Sequence, residues 1–415
     1  MAVIQAFKAL RPAQEVVRDV AALPYDVYNR KEAADFVKDR PLSFLNIDRA
    51  ESQFAPDVDT YDPRVYEKAN EMIRDWTRRG IFVREEKPCY YLYAQTMDGR
   101  TQTGLVAASS IDDYLNNVIL KHENTRAEKE LDRINHVDRT SAQTGPIFLA
   151  YRDDERVAAL LGPVTEEVPL YDFTKEDGIR HTVWKISDEA LIRAITEAFA
   201  GIPHTYIADG HHRAASAVKV ALKRREAHPD YNGTEEFNSF LSVLFPASAL
   251  RIYDYNRVVK DLNGLTEEEF LARISEDFEL TEVSGKGTPY RPEEKGSFGM
   301  FLSDKWYRLR VKEAPQSADP VKSLDVSVLQ DRLLEPVLGI HDPKTDSRID
   351  FIGGIRGLSE LERRVSLDMK VAFSMFPTSM EELFRVADAG LLMPPKSTWF
   401  EPKLLSGIFI HEIER

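Results

Sequence analysis

Apolar residues along this chain switch between a two-residue and a three-to-four-residue rhythm, and each switch marks an element. Val65 to Arg79 carries apolar side chains at helical spacing and predicts a helix, while Leu23-Pro24-Tyr25-Asp26-Val27 before it reads as a turn. Two strand-like runs, Tyr90 to Thr96 and Thr101 to Ala107, flank Asp98-Gly99, a dipeptide suited to a two-residue hairpin turn. Ile147 to Tyr151, Val168 to Phe173 and His181 to Ile186 read as further strands, the last two separated by a turn at Asp177-Gly178. Asp188 to Ala200 reads as a helix, with Gly201 placed as a left-handed cap. The apolar strand His204 to Ala208 follows, and a short polar stretch leads from it into an Ala-rich helical run, Ala214 to Lys223.

Further on, Phe240 to Leu244 and Ala249 to Tyr253 read as strands, and Thr266-x-x-Glu269 is a capping box opening a helix to about Phe278. Ser284 to Gly296 is a polar loop and Phe298 to Val311 a hairpin. Helices are predicted near Ser327 to Leu338 and Leu358 to Val365, with a last one opened by Ser379-x-x-Glu382 and closed by Gly390. Interleaved strands and helices predict an α/β fold of the mixed α+β kind. The 415 residues exceed one ordinary domain, so two regions are expected, 1–250 and 251–415, divided near Arg251.

Charge and cysteine content narrow the function classes. A formal charge of −14 argues against broad nucleic-acid binding, which needs a basic surface, but leaves room for a local basic pocket. Cys89 is the only cysteine, which excludes an intrachain disulfide and a zinc site of several thiolates and suits a reducing cytoplasm. Lys8 and Arg11 interrupt the N-terminus where a secretory signal is apolar, and the uncharged stretch Phe237 to Leu250 is short and contains Pro246. A soluble cytoplasmic protein without a membrane segment is expected, and self-association into a homo-oligomer stays open.

Three stretches hold candidate chemistry. Asp209-Gly210-His211-His212-Arg213 joins the apolar strand to the Ala-rich helix. A helix start presents unpartnered N–H groups and the positive end of the macrodipole, so it suits phosphate or carboxylate. Gly210 allows close approach, Arg213 offers a planar fork of donors, and Asp209 stands where it can hold a cation or take a proton. The bland alternative makes Asp209 a plain N-cap and the histidines surface residues. Lys121-His122-Glu123-Asn124-Thr125, with Asp132-Arg133 following on a helix, offers a carboxylate beside cations and a histidine, a general-base arrangement or else a solvated helix start. Met393-Pro394-Pro395-Lys396-Ser397-Thr398-Trp399-Phe400 presents a cation, two hydroxyls and two aromatics on a stiff diproline, or else simply packs on the core. The Gly-rich turn Gly353 to Gly357 lacks a Walker Lys-Ser/Thr, and neither the common nucleotide motifs nor the common hydrolase motifs occur elsewhere.

Leu23 to Val27, Lys121-His122-Glu123-x-Thr125, Tyr206 to Arg213 and Met393 to Thr398 occur in this order, and the combination resembles a widespread bacterial and archaeal family. That family, long labelled a domain of unknown function, has members that look like ATP-dependent kinases of free L-serine. The resemblance spans nearly the whole chain, and the Asp-Gly-His-His-Arg element is also similar, more remotely, to the ParB/sulfiredoxin superfamily. It implies a ParB/sulfiredoxin-like nucleotide-binding core in 1–250 and an additional α+β region in 251–415 that contributes the Pro-Pro-Lys-Ser-Thr loop. It further implies ATP and Mg²⁺ as co-substrate and cofactor, L-serine as acceptor, and O-phosphoserine and ADP as products. Asp209, Glu123 and His211 would then be catalytic. Gly210, His211, His212, Arg213, Lys396, Ser397 and Thr398 would bind nucleotide phosphates, and Glu123, Arg133, His122 and Thr125 would bind serine. A dedicated protein metal site is not expected. The alternatives are a non-catalytic nucleotide-binding regulator and a metal-dependent hydrolase built on Asp209, His211 and His212, although adjacent histidines on a helix diverge.

Overall fold

A computed structural model describes residues 1–125, 127–313 and 317–414. It divides into two compact units, one formed by Met1–Leu250 with Pro402–Arg415 and the other by Arg251–Glu401. The last segment, grouped with the second region in the sequence reading, therefore sits with the first unit. Among the described residues no helix is long and apolar enough to cross a membrane.

The first unit is built on a nine-stranded sheet: β1 (Ile4–Gln5), β2 (Tyr90–Met97), β3 (Arg100–Ser110), β4 (Ile119–Leu120), β5 (Ile147–Tyr151), β6 (Tyr171–Thr174), β7 (Arg180–Ile186), β8 (Thr205–Asp209) and β9 (Ser239–Pro246). Their order is β4-β8-β5-β9-β3-β2-β7-β6, with β1 alongside the end of β3. The sheet is mixed: β4/β8 and β5/β9 run parallel, the remaining pairs antiparallel. The β2–β3 hairpin forms as its turn chemistry dictates, with Asp98 and Gly99 both at positive φ, 52° and 76°. Four longer helices accompany the sheet, α1 (Pro63–Arg78), α2 (Ala127–Thr140), α3 (Glu189–Phe199) and α4 (His211–Ala227). Ile195 and Phe199 of α3 and Ala214, Ala217, Val218 and Ala221 of α4 pack against Leu92, Leu105, Leu149 and Leu244 of the strands, forming one core. A second core gathers Val65, Ala69, Ile73 and Trp76 of α1 around Phe44, Phe82 and Ile410. Each such large side chain contributes about 1.5–3 kcal/mol when fully buried.

The second unit is a six-stranded antiparallel sheet: β10 (Tyr255–Val259), β11 (Phe278–Gly285), β12 (Ser297–Leu302), β13 (Lys305–Val311), β14 (Ile349–Gly353) and β15 (Val371–Ser374), in the order β11-β13-β12-β15-β10-β14. With it come α5 (Glu267–Asp277), α6 (Ser359–Leu367) and α7 (Met380–Asp388). Both capping boxes form, Thr266 with Glu269 on α5 and Ser379 with Glu382 on α7. Ile252–Tyr253 pairs with Trp399–Phe400, so the two chain ends of this unit lie side by side.

Several sequence expectations need correction. The strand expected from Val168 begins at Tyr171, because Val168 is 93% exposed and Pro169 offers no N–H to a ladder. Gly201 is not at positive φ, so the expected left-handed cap does not form there. Ala249 closes a 3₁₀ turn, leaving only Ile252–Tyr253 as strand. The helix predicted over Ser327 to Leu338 is an α-helix, Asp325–Leu329, that widens into a π-turn at Gln330–Leu334.

Candidate functional site

Strand β8 ends at Asp209, and the pairing register between β8 and β5 shifts between Ile207 and Asp209. Such a bulge re-aims a strand end. The chain then turns at Gly210, which stands at φ 92° and ψ 30° as the N-cap of α4. That backbone is left-handed, and a Cβ on it would approach the Arg213 Nε at 3.1 Å, so glycine is required on two counts. No side chain caps α4, whose first intrahelical bond runs from the Ala214 N–H to the Gly210 carbonyl. Asp209 is thus not the N-cap; its Oδ1 accepts from the Gly210 N–H at 2.8 Å.

The Asp209 carboxylate is set between two cations. Its Oδ2 lies 3.1 Å from the Lys403 Nζ and 4.0 Å from the Arg213 Nη2, and the side chain keeps 30% exposure. Burial works to raise its pKa, but Lys403 and Arg213, together with the Gly210 N–H, outweigh it and hold the carboxyl well below its ordinary range. Lys403 is anchored in turn, its carbonyl accepting from Gln95 Nε2 at 2.8 Å. Arg213 donates to the Pro146 carbonyl.

Strand β4 brings the second motif to the same place. It runs parallel to β8 with Ile119 opposite Thr205 and Leu120 opposite Tyr206, and the chain that leaves its end carries His122 and Glu123. His122 meets His211 edge to face at 4.6 Å. Both rings are buried, at 2% and 7% exposure. Burial lowers the His122 pKa to about 4 against the opposing pull of a backbone hydrogen bond at Ile207 and the Asp209 charge. Burial and His122 hold His211 well below its ordinary value, and its Nε2 has no hydrogen-bond partner among the described residues. Both rings are thereby biased to the neutral form where the turn begins. His212 stays part-exposed, so the neighbouring rings of His211 and His212 do not converge on one ion. Among the described residues no group of three or more His, Cys, Asp or Glu is placed to hold a metal.

The remaining sequence candidates separate. The Thr125 hydroxyl donates to Glu130 Oε2 at 2.7 Å, and Glu130 pairs with Lys219. Arg133, on α2, is buried, pairs with Asp132 at 2.8 Å and stacks over Tyr25 at 4.0 Å. It lines a cavity of about 30 Å³ together with Tyr25, Asp48, Thr144, Arg213 and Ser406. Lys396, Ser397 and Thr398 belong to the second unit. There the exposed Lys396, at φ 60°, extends its ammonium over the Tyr255 ring at 5.5 Å, and the Ser397 hydroxyl donates to the Pro394 carbonyl at 2.6 Å. The Gly-rich turn is structural: a Cβ at Gly353 would meet the Trp399 ring at 2.8 Å and one at Gly354 the Asp254 carboxylate.

Sequence reading missed Lys403, because a lone lysine after Pro402 carries no pattern.

Residues 4–327 match a family described as Protein of unknown function (DUF1015). No curated protein matches the sequence. Among solved structures, a free serine kinase in complex with AMP is 15% identical, covers 72% of this chain and 86% of its own, and superposes with a TM-score of 0.34. A conserved hypothetical protein from Pyrococcus furiosus is 14% identical over 73% of this chain and 94% of its own, TM-score 0.33. A C-terminally truncated SbnI from Staphylococcus aureus is 11% identical over 72% and 85%, TM-score 0.37.

Proposed function

The chain belongs to the DUF1015 family, and from that premise we propose that it transfers a phosphoryl group from ATP to the hydroxyl of free L-serine, giving O-phosphoserine and ADP. The observation that carries this reading is the charge arrangement at the start of α4, where Asp209 lies between Lys403 and Arg213 at a helix end opened by Gly210. A polyphosphate suits the positive end of α4 with two cations beside it, and phosphoryl transfer asks a protein mainly for positioning and charge neutralisation.

Asp209 stays ionised across the physiological range, because its cations outweigh burial. A carboxylate so stabilised is a weak base, and its role is to accept a hydrogen bond from the serine hydroxyl and so aim it. Glu123, next in sequence to His122, takes the hydroxyl proton as the serine oxygen bonds to the γ-phosphorus and the bond from that phosphorus to the ADP oxygen breaks. Arg133 or Arg213 is the partner for the serine carboxylate. An ionised, partly exposed Asp209 fits a divalent ion carried with the nucleotide, and Mg²⁺ bound there would neutralise phosphate charge. Lys396, Ser397 and Thr398 stay proposed phosphate contacts on the strength of the resemblance, together with His212.

Incubation with L-serine, ATP and Mg²⁺ is expected to yield equal amounts of ADP and O-phosphoserine, and Asp209→Ala to lower the rate by about 100-fold or more. Nucleotide binding by calorimetry with no phosphoserine formed would overturn the kinase reading in favour of a nucleotide sensor.

A further inference from the structure

We infer that two buried glutamines, Gln95 and Gln102, form a positioning device that aims the Lys403 ammonium at Asp209. The inference rests on the phosphotransferase reading and adds to it the residues that hold its lysine in place.

Gln95 on β2 and Gln102 on β3 stand directly opposite each other in the hairpin, where the side chains of a cross-strand pair meet. They are 0% and 1% exposed. Amides so deep in a sheet are costly unless hydrogen-bonded, and apolar residues of similar shape fill the same space without that demand. Here the bonds form one directed chain. Gln102 Nε2 donates to Gln95 Oε1 at 3.0 Å, and Gln95 Nε2 donates to the Lys403 carbonyl at 2.8 Å. A carbonyl only accepts, so Gln95 has to turn its amide nitrogen toward Lys403 and its oxygen toward Gln102, which fixes the sense of both amides.

The chain of amides holds the segment that follows Pro402. Alternate side chains of β2 share one face, and Phe409 packs on two of them, Tyr91 and Tyr93, with ring centroids 5.0 and 6.1 Å apart. Gln95 is the next residue on that face. Apolar contacts are non-directional and leave the peptide groups of the segment free to turn. The Gln95 bond sets the peptide plane that follows Lys403, and from that backbone the Lys403 Nζ reaches the Asp209 Oδ2 at 3.1 Å. A lysine side chain loses much rotamer freedom when it is held on one partner, and a fixed backbone narrows what has to be held.

Competitive labelling of the full chain with acetic anhydride, read lysine by lysine by mass spectrometry, tests this, because an ammonium held on a carboxylate is acylated slowly. Lys175 serves as the internal control, being 15% exposed and bonded to the Arg18 and Ala21 carbonyls of the same unit. In Gln95→Leu the rate at Lys403 is expected to rise by about tenfold or more while Lys175 stays within about twofold, and Gln102→Leu should act in the same direction by a smaller factor. Phosphoserine formation should fall by about tenfold or more in Gln95→Leu, yet by less than about twofold when the same change is made on Lys403→Met, since a residue that acts through another adds nothing once that one is gone. An unchanged Lys403 rate in both glutamine variants would overturn the inference, as would a freed Lys403 with wild-type turnover, or equal losses from Gln95→Leu in the two backgrounds. Should Lys175 be freed as well in Gln95→Leu, Gln102→Leu decides by the same readings, and loosening of Lys175 in both variants would reduce the glutamines to structural residues and overturn the assignment. A freed Lys403 with no phosphoserine from any of the proteins, wild type included, would defeat the kinase reading and leave the positioning of Lys403 standing.

Discussion

At the scale of single residues, Lys403 does the most with the least warning. It contacts Asp209 across 194 positions of sequence, and with Arg213 it fixes the carboxylate in its charged form. Lys403→Met is expected to cost about 100-fold in turnover, the order seen when one preorganised donor is lost, while unfolding is little changed because Asp209 is partly solvated. Removing the cation also raises the Asp209 pKa, so the acid-side fall in rate should move to higher pH, and Lys403→Arg should restore part of both. A pH–rate profile for the three proteins checks this; an unmoved acid limb in Lys403→Met would detach the lysine from Asp209. The legible residues were those carried by a local pattern. Gly210 and Arg213 announced themselves because a strand, a glycine and an Ala-rich run stand in sequence, whereas Lys403 acquires meaning only through the partner that the tertiary fold delivers.

Among elements, legibility followed how local the cause is. Strand β5 was readable to the residue, because five apolar residues between polar flanks leave one choice. The β2–β3 hairpin and both capping boxes were readable because Asp98-Gly99, Thr266-x-x-Glu269 and Ser379-x-x-Glu382 each satisfy their own backbone. Thr266→Ala tests this directly. It removes the acceptor for the Glu269 N–H and should lower the unfolding free energy by about 1 kcal/mol in urea titration, with the slope unchanged. No measurable loss would mean that α5 is held by packing alone. Gly201 failed the same kind of reasoning because the helix before it ends on Ala200 in a right-handed conformation, with no left-handed residue closing it. The π-turn at Gln330–Leu334 likewise has no local signature.

For the whole molecule, the buried histidines of the first unit and the buried Asp325 of the second contribute to acid response with opposite signs. In the first unit burial lowers the pKa of His122 to about 4 and of His181 to about 3, from 6.5. Between pH 6.5 and those values the unfolded chain binds protons that the native rings refuse, so stability falls as pH falls, by up to about 1.4 kcal/mol per pH unit for each histidine. In the second unit burial raises Asp325 to about 6, from 3.8. Its contribution has the other sign: it is fully present below pH 3.8 and is lost as pH rises through 6. Hydrogen exchange at pH 7 and pH 5, corrected for intrinsic rates, should show α4 and β7 losing protection while peptides around Gly296 and Asp325 hold or gain it. Loss of protection in step across all these peptides would sink the opposition.

The return of Pro402–Arg415 to the first unit has a consequence for timing. A ribosome working at about 5–20 residues per second needs about 10–40 s to pass from Asp209 to Lys403, and most of what lies between is the second unit, Arg251–Glu401, with its own core. Until that interval ends, the nascent first unit holds Asp209 without its lysine. Maturation of the turn is thereby postponed until the second unit has been made, and a ribosome that stalls before Lys403 releases a protein that lacks this charge.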